Sequence, residues 1–324
     1  MRTSHETLEA FARETIAKGS KSFALASQLF EPHMRLHAQL LYAWCRHCDD
    51  VIDGQDLGGD APDAALSAAE RRGRLDALRV KTKEALAGRT VDEPAFDGLG
   101  VVARVSRLPQ AYPMAHLDGF AHDVDGTAPR TMDDLLEYSY GVAGVVGVMM
   151  AIVMGVDPGD DETLDRACDL GLAFQLTNIC RDVRDDAEGG RVYLPTDDLA
   201  GRGVEPTPEG LLRARPEAVF AVVERVLDEA DRYYASATQG IRRLPPRAGA
   251  AIAAARNVYR DIGLTLRQFG PEGLARRTVV GASRKAALAG AGAATGAAAA
   301  LFLNGQRPAP RTGLWPRPAA RATA

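Results

Sequence analysis

Apolar residues recur with a helical period through nearly the whole chain. Leu36, Leu40, Leu41 and Trp44 follow the i, i+4, i+5, i+8 spacing of one apolar helix face. No run combines β-branched residues with strict alternation, so the sequence predicts no sheet. The periodicity predicts helices over residues 5–18, 33–53, 67–88, 132–156, 161–186, 208–240 and 246–269.

Glycine- and proline-rich segments separate these helices without forming a long linker. DGQDLGGDAPD ends one helix, EGGRVYLPTDD ends another, and RRLPPR separates two late ones. The sequence therefore predicts a single all-α domain over residues 1–305. Residues 306–324 are rich in Pro and Arg, and we expect this tail to be disordered.

Residues 286–303 are uncharged and consist largely of Ala and Gly. A segment of this length could just span a bilayer, but Ala and Gly contribute little transfer free energy. We therefore expect a terminal helix that packs on the body or lies at a membrane surface.

Composition alone indicates an ordinary globular protein, with 46% hydrophobic and 25% charged residues. The net charge of −4 gives no indication of nucleic-acid binding. The charge is uneven, however, because eight basic residues and no acidic ones follow Glu272. This asymmetry favours either attraction to an anionic membrane surface or a solvated basic tail.

The four cysteines do not form a recognisable metal or redox motif. Cys45-x-x-Cys48 lacks a second pair at zinc-finger spacing, and no predicted strand precedes it as in a thioredoxin-like unit. We interpret these thiols as core residues of a protein in a reducing compartment. The N-terminal residues show no apolar segment of the kind that signal peptides contain, which predicts a cytoplasmic location.

Two segments, CRHCDDVID and NICRDVRDD, carry the candidate chemistry. Asp49 and Asp53 are four residues apart, and so are Asp182 and Asp186, so each pair lies on one helix face. Both pairs lie close to a predicted helix C-terminus, where negative charge is unfavourable. Such an arrangement needs compensation from another group.

Further polar side chains extend each acidic stripe. Tyr42 and Arg46 precede the first pair on its face, and Gln175 and Asn178 precede the second. The neighbouring lysines and arginines are too few in the sequence to neutralise both pairs, and half-buried carboxylates need a partner. Oxygen ligands without His or Cys favour Mg²⁺ or Mn²⁺. The alternative is a pair of solvated acidic helix ends. A metal beside an apolar cavity would suit a phosphorylated lipid.

At these positions the sequence resembles the head-to-head isoprenoid synthases, the family of phytoene and squalene synthases. YAWCRHCDDVID (Tyr42–Asp53) resembles the first aspartate-rich motif of that family, and FQLTNICRDVRDDAEGGRVYLP (Phe174–Pro195) resembles the second. The resemblance extends over residues 15–305 and is strongest to the bacterial phytoene synthases. Supporting segments are GSKSFALAS (Gly19–Ser27), EYSYGVAGVVGVMM (Glu137–Met150) and RRTVVGASRKAAL (Arg276–Leu288).

The resemblance implies an isoprenoid-synthase-type helical bundle around a central apolar cavity, and it assigns roles to individual residues. The catalytic residues that it implies are Tyr42, Asp49, Asp53, Asp182 and Asp186. The implied metal ligands are Asp49, Asp53, Asn178, Asp182 and Asp186. The implied diphosphate-binding residues are Ser20, Arg46, Gln175, Arg181, Tyr259 and Arg277. The implied contacts with the hydrocarbon chains are Phe23, Tyr138, Val142, Val146, Gly147 and Phe174.

Three glycines at three-residue spacing, Gly141, Gly144 and Gly147, leave two interpretations open. They could permit close helix packing, or they could leave room for an isoprenoid chain.

The implied reaction is a Mg²⁺-dependent condensation of two geranylgeranyl diphosphates, through prephytoene diphosphate, to 15-cis-phytoene, the first committed step of carotenoid biosynthesis. We expect no NADPH, since no Gly-rich dinucleotide fingerprint is present. The expected partners are geranylgeranyl diphosphate, the inner membrane face by peripheral contact, and a downstream phytoene desaturase, but no nucleic acid. Alternatives are a squalene, hydroxysqualene or dehydrosqualene synthase that uses farnesyl diphosphate, a non-catalytic assembly factor of the same fold, and a helical scaffold that binds a basic partner.

Overall fold

A computed structural model describes residues 4–19, 21–54, 67–302 and 309–318. All regular structure in these ranges is helical, which confirms the all-α prediction. A π-helical segment (Tyr140–Gly144) joins α8 to α9, and a 3₁₀ segment (Gly270–Ala275) follows α14. The helices in chain order are α1 (His5–Gly19), α2 (Lys21–Ser27), α3 (Pro32–Asp53), α4 (Ala68–Leu86), α5 (Pro94–Ser106), α6 (Ala111–Gly119), α7 (Ala121–Asp125), α8 (Met132–Ser139), α9 (Val145–Val153), α10 (Asp161–Glu188), α11 (Thr196–Ala200), α12 (Pro208–Arg213), α13 (Pro216–Ile241), α14 (Pro246–Phe269) and α15 (Ala282–Phe302).

Local sequence fixes the ends of the two helices that carry the acidic stripes. Helix α3 ends at Asp53 because Gly54 adopts a left-handed conformation with a φ of 69°. Helix α10 begins after Asp160, whose side chain accepts a hydrogen bond from the backbone N–H of Thr163 at 3.2 Å. Both aspartate pairs therefore lie in the last turns of their helices, as the sequence predicts.

The helix predictions differ from the structure in two respects. The predicted helix over 208–240 is broken, because Pro216 forces Arg215 into an extended conformation between α12 and α13. Helices α2, α5, α6, α7 and α11 were not predicted. All of them except α5 have only five to nine residues, too few for a helical period to emerge from the sequence.

Helix α10 is central and packs against α9, α13, α14 and the π-helical segment. The glycines make this packing close. A Cβ added at Gly147 would lie 2.4 Å from the carbonyl oxygen of Ala167, and one added at Gly141 would lie 2.5 Å from the Cα of Gly119. Close helix packing is therefore the reason for glycine at both positions, although Gly147 also lines the central cavity described below.

Helix α15 packs along α14, which explains its small residues. A Cβ added at Gly296 would lie 2.4 Å from the carbonyl oxygen of Gly249, and one added at Gly292 would lie 2.6 Å from that of Ala253. Of the described residues, only the stretch Met132–Val153 is long and apolar enough to cross a membrane. Most of that stretch is buried inside the protein, as in a core helix.

The basic C-terminal region binds the acidic body of the same molecule. Arg277, Arg284, Arg311 and Arg317 each form an ion pair with an aspartate of the helical body. Residues 309–318, which composition assigns to a disordered tail, instead pack on the body. Arginine–aspartate pairs hold this segment, and Leu314 and Trp315 add apolar contacts with the core.

Candidate functional site

A single cavity of about 1190 Å³ brings together almost every residue singled out from the sequence. Its walls come mainly from α3, the π-helical segment, α9, α10, α13 and α14, and α2, α7 and α8 add single side chains. Ser20 lies outside the described residues. All other predicted site residues line the cavity: Phe23, Tyr42, Arg46, Asp49, Asp53, Tyr138, Val142, Val146, Gly147, Phe174, Gln175, Asn178, Arg181, Asp182, Asp186, Tyr259 and Arg277.

Arginines surround the first acidic pair. Arg46 Nη1 lies 3.1 Å from Asp49 Oδ2, and its other terminal nitrogen lies 2.7 Å from Asp50 Oδ1. Asp53 pairs with Arg191, which lies in the loop after α10. Burial raises the pKa of Asp186 in the second motif, and the charge of Arg191 opposes that rise, so this arginine lies between the two motifs.

The second pair is also contacted by arginines. Asp182 pairs with its neighbour Arg181 and with Arg277, whose Nε lies 2.8 Å from Asp182 Oδ1. The prediction that too few cations stand near the aspartates is therefore wrong. Arg191 is 138 residues from Asp53, and Arg277 is 95 residues from Asp182, so only the fold brings these charges together.

Two aspartates nevertheless remain poorly compensated. Burial and the neighbouring Asp53 raise the pKa of Asp49 to about 7, despite Arg46. Burial and Asp182 raise the pKa of Asp186 to about 7, despite Arg191. In addition, the side-chain oxygen of Asn178 is buried without a hydrogen-bond partner. A further cation would satisfy all three groups.

Within the described residues, no three Asp, Glu, His or Cys side chains already converge as a metal site. The donor set still fits Mg²⁺ or Mn²⁺, because it offers carboxylate and amide oxygens and one of them is an unpartnered amide oxygen. Of the predicted ligands, Asp49, Asn178 and Asp186 are the three that the fold leaves short of compensation.

The rest of the cavity is largely apolar and aromatic. Phe174 stacks on Tyr259 with their ring centroids 4.2 Å apart, and Phe23 lies against Tyr42 at 5.5 Å. Beyond these rings the walls continue with small and aliphatic side chains. They include Val142, Val146, Met150, Met154, Leu170, Ala237 and Ile241.

The structure adds a polar network that sequence reasoning did not assign. Asp123 accepts hydrogen bonds from the phenols of Tyr193 at 2.7 Å and Tyr138 at 3.2 Å, and the two rings stack at 5.1 Å. Burial raises the pKa of Asp123, and Arg191 opposes that shift. Arg191 and Tyr193 belong to the second motif segment, but nothing in the local pattern distinguishes Asp123.

His116 fixes the π-helical segment from behind. Its Nδ1 lies 3.0 Å from the carbonyl oxygen of Gly141, and burial lowers its pKa to about 4. The imidazole is therefore neutral at physiological pH, with Nδ1–H donating to that carbonyl. This contact helps to place Val142 and Val146 on the cavity wall.

Comparison with known proteins agrees with this architecture. The squalene/phytoene synthase family model matches residues 16–284. A 15-cis-phytoene synthase of Paracoccus sp. is 50% identical over 310 residues, covering 94% of this chain and 96% of that protein. The 15-cis-phytoene synthase of Pantoea ananas is 47% identical over 307 residues, covering 95% and 97%.

Solved structures show the same fold. A dehydrosqualene synthase in complex with ligand superposes with a TM-score of 0.76 at 26% identity, covering 90% of this chain and 96% of that one. A squalene synthase from Alicyclobacillus acidocaldarius superposes with a TM-score of 0.69 at 24% identity, covering 82% and 94%. The chain therefore belongs to the squalene/phytoene synthase family.

Proposed function

We propose that this prenyltransferase is a 15-cis-phytoene synthase that condenses two molecules of geranylgeranyl diphosphate. The observation that carries the proposal is the placement of two arginine-flanked aspartate pairs in one largely apolar cavity. Two relatives that are 47–50% identical over almost their whole length are named 15-cis-phytoene synthase.

The acidic part of the cavity would bind the diphosphates. Asp49, Asp53, Asn178, Asp182 and Asp186 would hold Mg²⁺, which would neutralise the diphosphate charge as that group departs. Arginine contacts strengthen this binding, because guanidinium groups pair with phosphate oxygens in a bidentate manner. The arginines available are Arg46, Arg181, Arg191 and Arg277.

The cavity is long enough for a prenyl chain. The stretch of α10 from Thr163 to Asp182, both in the cavity wall, is roughly 28 Å long at the helical rise of about 1.5 Å per residue. An extended chain advances about 3.4 Å for every three bonds, so a geranylgeranyl group spans roughly 18 Å. The cavity therefore accommodates such a chain along α10.

The reaction needs shielding of carbocations more than it needs a strong acid or base. Loss of one diphosphate gives an allylic cation, the double bond of the second substrate attacks it, and loss of a proton closes a cyclopropane. Loss of the second diphosphate, rearrangement and loss of another proton give the central double bond without a hydride donor. The rings of Tyr42, Phe174 and Tyr259 line this region, exclude water and stabilise positive charge.

We further propose a peripheral, cytoplasmic enzyme at the inner membrane face. The hydrocarbon product is insoluble in water, and a membrane-bound phytoene desaturase would consume it. Leu301 and Phe302 at the end of α15 are 63% and 81% exposed, and apolar side chains of this kind insert into an interface. Partition of the purified protein between liposomes and buffer tests this location. The parent protein should bind the liposomes, and Phe302→Ser should bind them less.

Metal and residue dependence test the proposed chemistry. Purified protein with Mg²⁺ and geranylgeranyl diphosphate, without NADPH, should release diphosphate and form hydrocarbon. EDTA, Asp49→Asn and Asp182→Asn should each lower the rate at least about a hundredfold. Glu188→Gln, an exposed neutralisation on the same helix outside the cavity, serves as the control and should keep the parent rate. Equal rates in the parent, Asp49→Asn, Asp182→Asn and Glu188→Gln proteins would refute the proposed metal-dependent chemistry.

A further inference from the structure

Residues 309–318, which we call the C-terminal strap, cross the outside of the cavity wall. Their contacts are unusually polar for a packed terminal segment. Arg311 pairs with Asp169 through two bonds, of 2.6 and 2.9 Å, and lies 3.2 Å from Asp165. Asp169 is fully buried and also accepts a hydrogen bond from Ser236. Such a bidentate buried pair fixes both position and orientation.

A second arginine of the strap repeats this arrangement one turn earlier on α10. Arg317 Nε lies 2.8 Å from Asp165, and a terminal nitrogen lies 2.6 Å from Asp161. It also donates to the phenol of Tyr112 at 3.1 Å. Asp161, Asp165 and Asp169 are spaced i, i+4, i+8, so the strap covers one face of α10.

Trp315 connects the strap to two other walls. Its ring packs on Tyr140 at the start of the π-helical segment, with centroids 5.7 Å apart. Its backbone N–H donates to the phenol of Tyr233 on α13 at 3.1 Å. Arg232 on the same helix donates to the carbonyl of Gly313.

Asp169, Tyr140 and Ser236 each stand close in sequence to residues that line the cavity. Asp169 precedes Leu170 and Gly171 on α10, and Tyr140 precedes Val142 by two residues. On α13, Ser236, which donates to Asp169, precedes Ala237. Arg311 and Trp315 therefore bind the back of three walls near the level of Asp169, while Arg317 extends the contact along α10 to Asp161.

That level coincides with the end of a long isoprenoid chain. Measured from Asp182, a geranylgeranyl group of roughly 18 Å reaches the level of Leu170 on α10, whereas a farnesyl group of roughly 13 Å ends near Phe174. The contacts of Arg311 and Trp315 thus lie at the level of the fourth isoprene unit, and those of Arg317 lie beyond the end of the chain.

We propose that the C-terminal strap determines chain-length specificity by holding these walls around the fourth isoprene unit. This inference rests on the proposed prenyl diphosphate chemistry and adds positioning residues to it. Without the ring of Trp315, the π-helical segment loses its contact at Tyr140, two residues before Val142, and keeps only the contacts of Gly141 with His116 and Gly119 on that side. Contacts with the terminal unit of a geranylgeranyl chain then weaken, while a farnesyl chain, which ends earlier, keeps its own.

Binding of non-hydrolysable geranylgeranyl and farnesyl thiodiphosphates, measured by calorimetry with Mg²⁺, tests the proposal. Trp315→Ala should weaken geranylgeranyl binding about tenfold and change farnesyl binding less than about twofold, the size expected for partial loss of apolar contacts. Trp315→Phe should restore the parent ratio of the two dissociation constants, for the geranylgeranyl and the farnesyl ligand. Pro310→Ala, an exposed change on the same strap, should leave this ratio unchanged. An equal loss for both ligands, or no loss, would overturn the proposal.

A second variant separates specificity from folding. Arg311→Met/Asp169→Asn removes both charges of the buried pair together, so no uncompensated carboxylate remains. It should unfold cooperatively and still show the reduced preference for the geranylgeranyl ligand. A parent-like preference in this folded variant would count against the strap. Hydrocarbon formation by the parent protein is measured separately, so failure of the proposed function remains distinguishable.

Discussion

Neutralising Asp186 should stabilise the metal-free protein while abolishing its response to Mg²⁺. In the folded chain the pKa of this carboxyl is raised from 3.8 to about 7 by burial and Asp182. A raised carboxyl pKa means that ionisation opposes folding. The contribution of the Asp186 carboxyl to the free energy of unfolding is therefore complete below pH 3.8, where it is protonated in both states. This contribution declines as the pH rises towards 7 and is absent above pH 7.

The size of the effect follows from that shift. A displacement of about three pH units corresponds to about 2–4 kcal/mol after allowance for the partial exposure of the side chain. In EDTA at pH 8, Asp186→Asn should therefore exceed the parent protein in unfolding free energy by about this amount. At pH 4 the difference should fall below about 1 kcal/mol, since the parent carboxyl is then protonated.

Urea denaturation at pH 4 and pH 8, with EDTA or Mg²⁺, measures both the pH-dependent gain in stability and the response to Mg²⁺. Each tenfold excess of Mg²⁺ over its dissociation constant should stabilise the parent by about 1.4 kcal/mol and Asp186→Asn much less. Glu188→Gln is the matched control on an exposed site of the same helix and should differ from the parent by less than about 0.5 kcal/mol. An Asp186→Asn protein no more stable than the parent at pH 8, or stabilised equally by Mg²⁺, would refute the reasoning.

Two further predictions concern packing and thiols. Gly147→Ala should lose about 1–3 kcal/mol of unfolding free energy in urea, because its Cβ would lie 2.4 Å from the carbonyl oxygen of Ala167. Gly73→Ala on the exposed face of α4, where a Cβ meets nothing within 4 Å, should instead gain up to about 1 kcal/mol of unfolding free energy. A loss of unfolding free energy in both variants would contradict close packing as the reason for Gly147. Burial raises the pKa of all four free thiols, so native protein at pH 8 should resist iodoacetamide, as mass spectrometry would reveal. Rapid alkylation of the native protein would show that Cys45, which lines the cavity, is more accessible than its surroundings indicate.

The sequence was most informative where a helix period determines which residues share a face. The i, i+4 spacing placed Asp49 with Asp53 and Asp182 with Asp186, and all four line one cavity. That the two stripes share this cavity followed only from the family resemblance. The helix ends were equally readable, because Gly54 and the glycines after Glu188 terminate α3 and α10.

Long-range partners could not be predicted in this way. Arg277 contacts Asp182 although they are 95 residues apart, and Arg311 contacts Asp169 although they are 142 residues apart. No local pattern encodes such pairings, which arise only when helices pack. The same limit hid Asp123, whose importance comes from two tyrosines on other segments.

The identity of the product tests the central claim most directly. Purified protein is incubated with Mg²⁺ and either geranylgeranyl or farnesyl diphosphate, without NADPH, and the hydrocarbon is identified by mass spectrometry and absorption. We predict a C40 hydrocarbon with the three conjugated double bonds of phytoene from geranylgeranyl diphosphate. A C30 hydrocarbon from farnesyl diphosphate alone, or no hydrocarbon from either substrate, would contradict it.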